Sequence, residues 1–279
     1  MPDPANGAAD AAATLFEDMR RKRQATLDAH EEMRRSPGFV AAAKRTEKLV
    51  LDFGLALNAL SLMSTRHDGF KRALISIGMQ DLLLESAVAA MALTREGLLN
   101  AARREMRFLL EASIKAWWCD NVEPTGDVAR KVDFLDDLGA VRFREVIESI
   151  APRMMDPDTV SCLTPAVTNL YAKLSTHVHA SSSRVAVDLN RFRHGKFIGF
   201  ETTGDVNRVN DLFQSVLDIA LAAAMESFHS GLVGDVFVGL LDDYRGWAFH
   251  KTPFCRSVSA HFDYKAERRQ TAQVRPLRP

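Results

Sequence analysis

The sequence predicts an all-α protein, an antiparallel helical bundle with a small extended or hairpin segment near 194–203. Three observations carry this. Apolar residues recur at helical spacing through most of the chain, as in Leu49, Phe53, Leu57 and Leu60. Short breaks rich in Gly, Pro and Asp separate the periodic stretches, which suits antiparallel neighbours joined by short connections. Only 185–203 reads as extended, with Lys196-Phe-Ile-Gly-Phe200 set between His194-Gly195 and Thr202-Thr203-Gly204.

The elements follow in order. Residues 1–12 are rich in Ala, Asp and Pro and are expected to be loose; 14–35 form a mostly polar helix that protrudes or packs on a partner. Ser36-Pro37-Gly38 ends it, and a helix over 40–63 follows. Arg66–Gly69 reads as a loop, then a helix spans 80–93. Thr94 is placed as the cap of the next helix, which runs to Cys119. Helices are expected over 127–138 and 141–150. Thr164-Pro165 has the form of a helix start, a capping residue followed by Pro. A long helix runs from Asp205 to Phe228 and a shorter one over 234–247. The expected organisation is a flexible N-terminus and polar helix (1–37), one bundle domain (38–250) and an irregular basic tail (251–279).

Composition narrows the function classes. Lys+Arg and Asp+Glu both total 36, so no global basic field favours nucleic acid. Cys119, Cys162 and Cys255 are few and far apart, which fits a reducing compartment and gives neither a disulfide framework nor a zinc ligand set. The first residues lack a basic and an apolar signal region, and Asp52 and Asp218 interrupt the most apolar runs. No cofactor, metal or membrane is expected, and the chain reads as cytoplasmic.

Two polar pairs stand where an apolar stripe would be simplest: Arg107 with Glu111, and Ser175 with His179. A spacing of four puts each pair on one side of its helix, and polar atoms beside a core need partners. On a helical wheel Ile114 and Trp118 lie within about 20° of Arg107, so the guanidinium sits inside the apolar margin. It either pairs with Glu111 to fix helix packing or meets an anionic ligand. His177 and His179 diverge by about 200° on a helix, which argues against a shared metal and leaves one as a general base. Three Arg-to-His spacings of the HEPN ribonuclease kind occur, Arg23 to His30, Arg245 to His250 and Arg256 to His261. A chain this rich in arginine supplies such matches by chance.

The order of Leu93-Thr-Arg-Glu-Gly97, Arg107-x-x-x-Glu111 and Tyr171-x-x-Leu174-Ser175-x-x-Val178-His179 resembles a bacterial family of all-helical proteins, over roughly residues 80–230. The resemblance implies paired helices carrying the two polar elements, followed by a long helix. No activity comes with it; some relatives sit near HEPN-type and phage-defence proteins. Two readings follow. One is a regulatory or defence-associated binding module, with Arg107, Glu111, Ser175, His177 and His179 around a small anionic ligand or a protein partner, and with homo-oligomerisation open. The other is a metal-independent ribonuclease in which His179, or His250 in the Arg245 spacing, is the base and an arginine such as Arg107 stabilises phosphate charge.

Overall fold

A computed structural model describes residues 4–65, 73–124, 126–138, 142–176, 182–193 and 199–262. It is an all-α bundle with no strand among those residues. The helices are α1 (Pro4–Arg35), α2 (Pro37–Ser64), α3 (Ile75–Gly78), α4 (Gln80–Arg95), α5 (Leu99–Val122) and α6 (Val128–Asp137). They continue with α7 (Phe143–Glu148), α8 (Pro157–Ser175), α9 (Ser182–Arg193), α10 (Thr203–Ser227), α11 (Ser230–Val236) and α12 (Pro253–Ala260). None of the described helices is long and apolar enough to cross a membrane.

The bundle is organised around α10. Thr202 and Asp205 form a capping box that starts it, and every residue from Val216 to Ser227 is buried. A helix buried on all sides must be central. It packs against α5, α2 and α12, while α4 and α5 form an antiparallel hairpin over the same core. Glu96-Gly97-Leu98 makes that hairpin's turn. Gly97 has φ +73°, and a Cβ there would stand 2.9 Å from the Gly199 Cα, so this position accepts only glycine.

Several boundaries differ from the sequence reading. Thr94 does not cap α5; it lies inside α4 and donates to the Ala90 carbonyl. Helix α8 begins at Pro157, capped by Asp156, and Pro165 lies inside it. Pro165 is exposed, so the carbonyl one turn earlier that loses its donor can be hydrated instead. Residues 185–193 are helical rather than extended, 199–202 form a turn and coil, and 194–198 lie outside the described residues. The stretch expected as one helix over 234–247 is α11 plus a π turn at Phe237–Leu241, followed by turns. Past 250 the chain returns to the core as α12, burying Phe254, Cys255 and Val258.

Four buried carboxylates tie loops to helices in one shared manner. Each sits on a helix and accepts backbone N–H groups from a distant segment. Asp52 on α2 accepts from Ala248 (2.6 Å), and Asp120 on α5 from Ile75 (2.9 Å) and Ser76 (3.0 Å). Asp218 on α10 accepts from Phe254 (3.1 Å) and Cys255 (2.8 Å), and Glu226 from Arg153 (2.7 Å) and Met154 (2.8 Å). Asp120 and Asp218 thereby cap α3 and α12 from another helix, satisfying amides that have no partner within their own helix. Burial pushes the Asp218 and Glu226 carboxyls up, opposed by the donors that face them.

Asp156 is the opposite case. The Ser257 hydroxyl donates to it, with the Thr159 amide and hydroxyl adding two more bonds, and its carboxyl is lowered to about 2. Its contribution to stability is therefore present above the ordinary carboxylate range and lost as pH falls towards about 2. The stability difference between wild type and Asp156→Asn, read from urea midpoints, is expected to shrink across that acid window and to be constant above it.

Candidate functional site

The residues singled out by sequence come only partly together. Arg107 on α5 donates through Nη2 to the Tyr171 hydroxyl on α8 (2.6 Å), and its guanidinium carbon lies 4.7 Å from the centre of that ring. The Phe143 ring of α7 stacks on Tyr171 at 4.4 Å. Ser175 joins the same seam through its backbone neighbour, donating to the Tyr171 carbonyl (2.7 Å). Glu111 does not meet Arg107; its carboxylate is 2.8 Å from Lys115, one turn along its own helix. His177 and His179 lie outside the described residues.

This seam is an aromatic–guanidinium contact between three helices, in which the Arg107 Nη2 is hydrogen-bonded and its Nε–H is buried with no partner among the described residues. Stacking on an aromatic face explains how a cation is accommodated inside an apolar stripe. Tyr171, named in the sequence only as part of a motif, is the residue to which both Arg107 and Ser175 bond.

The Arg245 to His250 spacing falls on turns rather than on a helix. The His250 Nε2 is 2.7 Å from the Tyr244 carbonyl, an acceptor that requires the proton on that nitrogen, and the ring edge rests on Trp247. That nitrogen cannot serve as a general base in this geometry. The buried thiols are equally unsuited as nucleophiles: burial holds Cys255 well above its ordinary value and pushes Cys119 up to about 12. No group of three metal-binding side chains occurs among the described residues.

A concavity lies elsewhere, between α8, α10 and the start of α12, with a volume of about 570 Å3. Its floor is Leu170, Ile219 and Phe254, all buried, and its edge carries Lys173 and Lys251. Three of the other polar side chains at the edge, Asp211, Gln214 and Thr252, are already engaged. Asp211 pairs with Arg45 (2.7 Å), and Gln214 bonds Arg45 and the Ala248 carbonyl. Thr252 donates to Asp218 (2.7 Å). Among the described residues Lys173 and Lys251 have no ion-pair partner. The groove therefore combines an apolar floor with two available cations, an arrangement suited to an anion with an apolar body.

Sequence reasoning missed this groove because its cations, Lys173 and Lys251, are far apart in chain order, with α9, α10 and α11 between them. One signal was present: Asp218, a charge inside an otherwise apolar helix, is the residue that holds the groove's far wall. Comparison of the chain with protein-family models, with curated proteins and with solved structures gives no match.

Proposed function

We propose that the chain is a helical binding module whose groove between α8, α10 and α12 takes a small carboxylate with an apolar body. The observation that carries this is the pair Lys173 and Lys251, without an ion-pair partner among the described residues, above Leu170, Ile219 and Phe254. A cation over an apolar floor gains more from an anion there than in open water, because the occupant displaces solvent from the contact. The His250 contact with Tyr244 counts against a ribonuclease that would use the His250 Nε2 as its base, while the His179 of that reading lies outside the described residues. In this reading the Arg107–Tyr171 seam is a packing element that sets the angle of α8, and α8 forms one wall of the groove. The free thiols of Cys119, Cys162 and Cys255 support action in a reducing compartment.

The test compares octanoate with octanamide, and phenylacetate with phenylacetamide, by titration calorimetry. Each carboxylate is expected to bind roughly tenfold more tightly than its neutral amide, a difference of about 1.4 kcal/mol. The double variant Lys173→Gln, Lys251→Gln should erase that preference without changing the melting temperature, since both lysines are exposed. Ala166→Trp, which fills the groove from its edge, should remove binding of all four compounds. If the amides bind as well as the acids, or the double variant keeps the preference, the proposal fails.

A further inference from the structure

A second hollow, about 370 Å3 in volume, opens between the end of α1, the first turns of α2 and the end of α4. Phe39 and Val206, both buried, form its floor. Arg34, Lys44 and Arg95 line it with one carboxylate, Glu47, and none of these four is in an ion pair among the described residues. Their chain neighbours Arg35, Arg45 and Lys48 each have a carboxylate partner, so the lack is not general to this region. The hydroxyls in the wall are engaged: Thr46 donates to Asn210 (2.6 Å) and Thr94 to the Ala90 carbonyl (2.7 Å). Arg34 is held in place before anything binds. Its Nη2 donates to the Arg95 carbonyl (2.6 Å), and its guanidinium carbon lies 5.7 Å from the centre of the Phe39 ring. That bond uses one of several N–H donors and covers a terminal carbonyl of α4, whose negative end would otherwise repel an anion. The Glu96, Gly97 and Leu98 amides take the carbonyls before it.

We infer that this hollow binds a small phosphomonoester that carries an amino group on a short carbon chain. The charges stand in the order such a molecule needs. Arg34 and the Arg95 backbone meet beside Phe39. Along the axis of α2 from Phe39, Lys44 is about 8 Å on and Glu47 about 5 Å beyond it, and a spacing of three puts these two on one side of the helix. The phosphate dianion takes the Arg34, Arg95 and Lys44 end, where two forked donors and a point charge meet its three terminal oxygens. The ammonium goes to Glu47, and the chain between them lies on the apolar floor. A simple carboxylate has too few acceptor oxygens and too little charge to engage three cations. A polyanion such as RNA is a poor occupant, because its next phosphate would face Glu47. The hollow shares no lining residue with the groove between α8, α10 and α12, so the two sites stand or fall separately.

Titration calorimetry of the full chain tests this with O-phosphoethanolamine, ethyl phosphate and inorganic phosphate as probes. O-phosphoethanolamine is expected to bind roughly tenfold more tightly than ethyl phosphate, which lacks the ammonium. Lys44→Gln and Arg95→Gln should each weaken both organic phosphates roughly tenfold. Glu47→Gln should bind ethyl phosphate at least as tightly as wild type does, while the advantage of O-phosphoethanolamine disappears. Arg144→Gln, on α7, should change neither affinity. All four positions are exposed, so the melting temperature should not move. Vesicles of phosphatidylethanolamine, whose phosphate is a diester with a single charge, should not displace the free probe. The inference is overturned if O-phosphoethanolamine does not bind at millimolar concentration, or if inorganic phosphate binds as tightly as it does. It is equally overturned if binding is indifferent to Lys44→Gln and Arg95→Gln, if the ammonium advantage survives Glu47→Gln, or if the vesicles displace the probe.

Discussion

Replacing Asp120 by alanine is expected to lower unfolding free energy by about 3–5 kcal/mol, the range for breaking a buried ion pair by removing one partner. The side chains of Asp120 and Lys131 are both fully buried, with Nζ 2.8 Å from Oδ1. Asp120 also accepts from the Ile75 and Ser76 amides and from the Ser76 hydroxyl (2.6 Å). Without it, Lys131 keeps only the Ala73 carbonyl as acceptor, and the ammonium has no counter-ion within the core. The converse change is expected to be milder. Lys131→Met leaves Asp120 with three donors, so its loss should be smaller than that of Asp120→Ala. The double variant Asp120→Asn, Lys131→Met removes both charges and should recover part of the single-variant loss. Urea unfolding with linear extrapolation reads all three. A loss under about 1 kcal/mol for Asp120→Ala, or a reversed order of the single variants, would contradict the role assigned to this pair.

The periodicity of the apolar residues was enough to read an all-α bundle, and the break at Ser36-Pro37 falls where α2 begins, capped by Ser36. What escaped sequence reading was decided by contacts distant in the chain. Asp156-Pro157 and Thr164-Pro165 carry the same local start signal. The first is the true start of α8, and it is reinforced by Ser257, a residue more than a hundred positions away. The sequence reading treats α9 as extended together with Lys196–Phe200 and its Gly-containing flanks. The spacing Val185, Leu189, Phe192 is the helical one, and it was equally present in the sequence. At the candidate site, Arg107 was legible as a cation inside an apolar stripe. Its partner was not, because Glu111 is closer in sequence and Tyr171 is reached only through the packing of α5 on α8. Asp52 and Asp218 served in the sequence only to exclude membrane spans. In the fold they hold the 244–255 segment against α2 and α10, which no local pattern announces.

Asp218→Ala should act on stability and on the groove together, which separates it from Asp120 and Glu226. It is expected to cost about 2–4 kcal/mol, because the Phe254 and Cys255 amides at the start of α12 and the Thr252 hydroxyl lose their shared acceptor inside the core. Thr252 retains the Phe249 carbonyl, but the two amides have no replacement in the helix they begin. Lys251, Thr252, Pro253 and Phe254 form one wall of the groove, so octanoate affinity should fall under conditions where the variant is still folded. Asp120→Ala, at equal folded fraction, should leave that affinity unchanged, since none of the residues it touches borders the groove. The pH dependence has a definite sign. Burial raises the Asp218 carboxyl, so its contribution is full below the ordinary carboxylate range and declines as pH rises through the raised value. The stability gap between wild type and Asp218→Ala should therefore be widest below the ordinary carboxylate range and narrow as pH rises above it, opposite in direction to the Asp156→Asn gap. A gap that widens with rising pH would mean that the three donors outweigh burial at Asp218, and that the wall of the groove is held by an ionised carboxylate throughout.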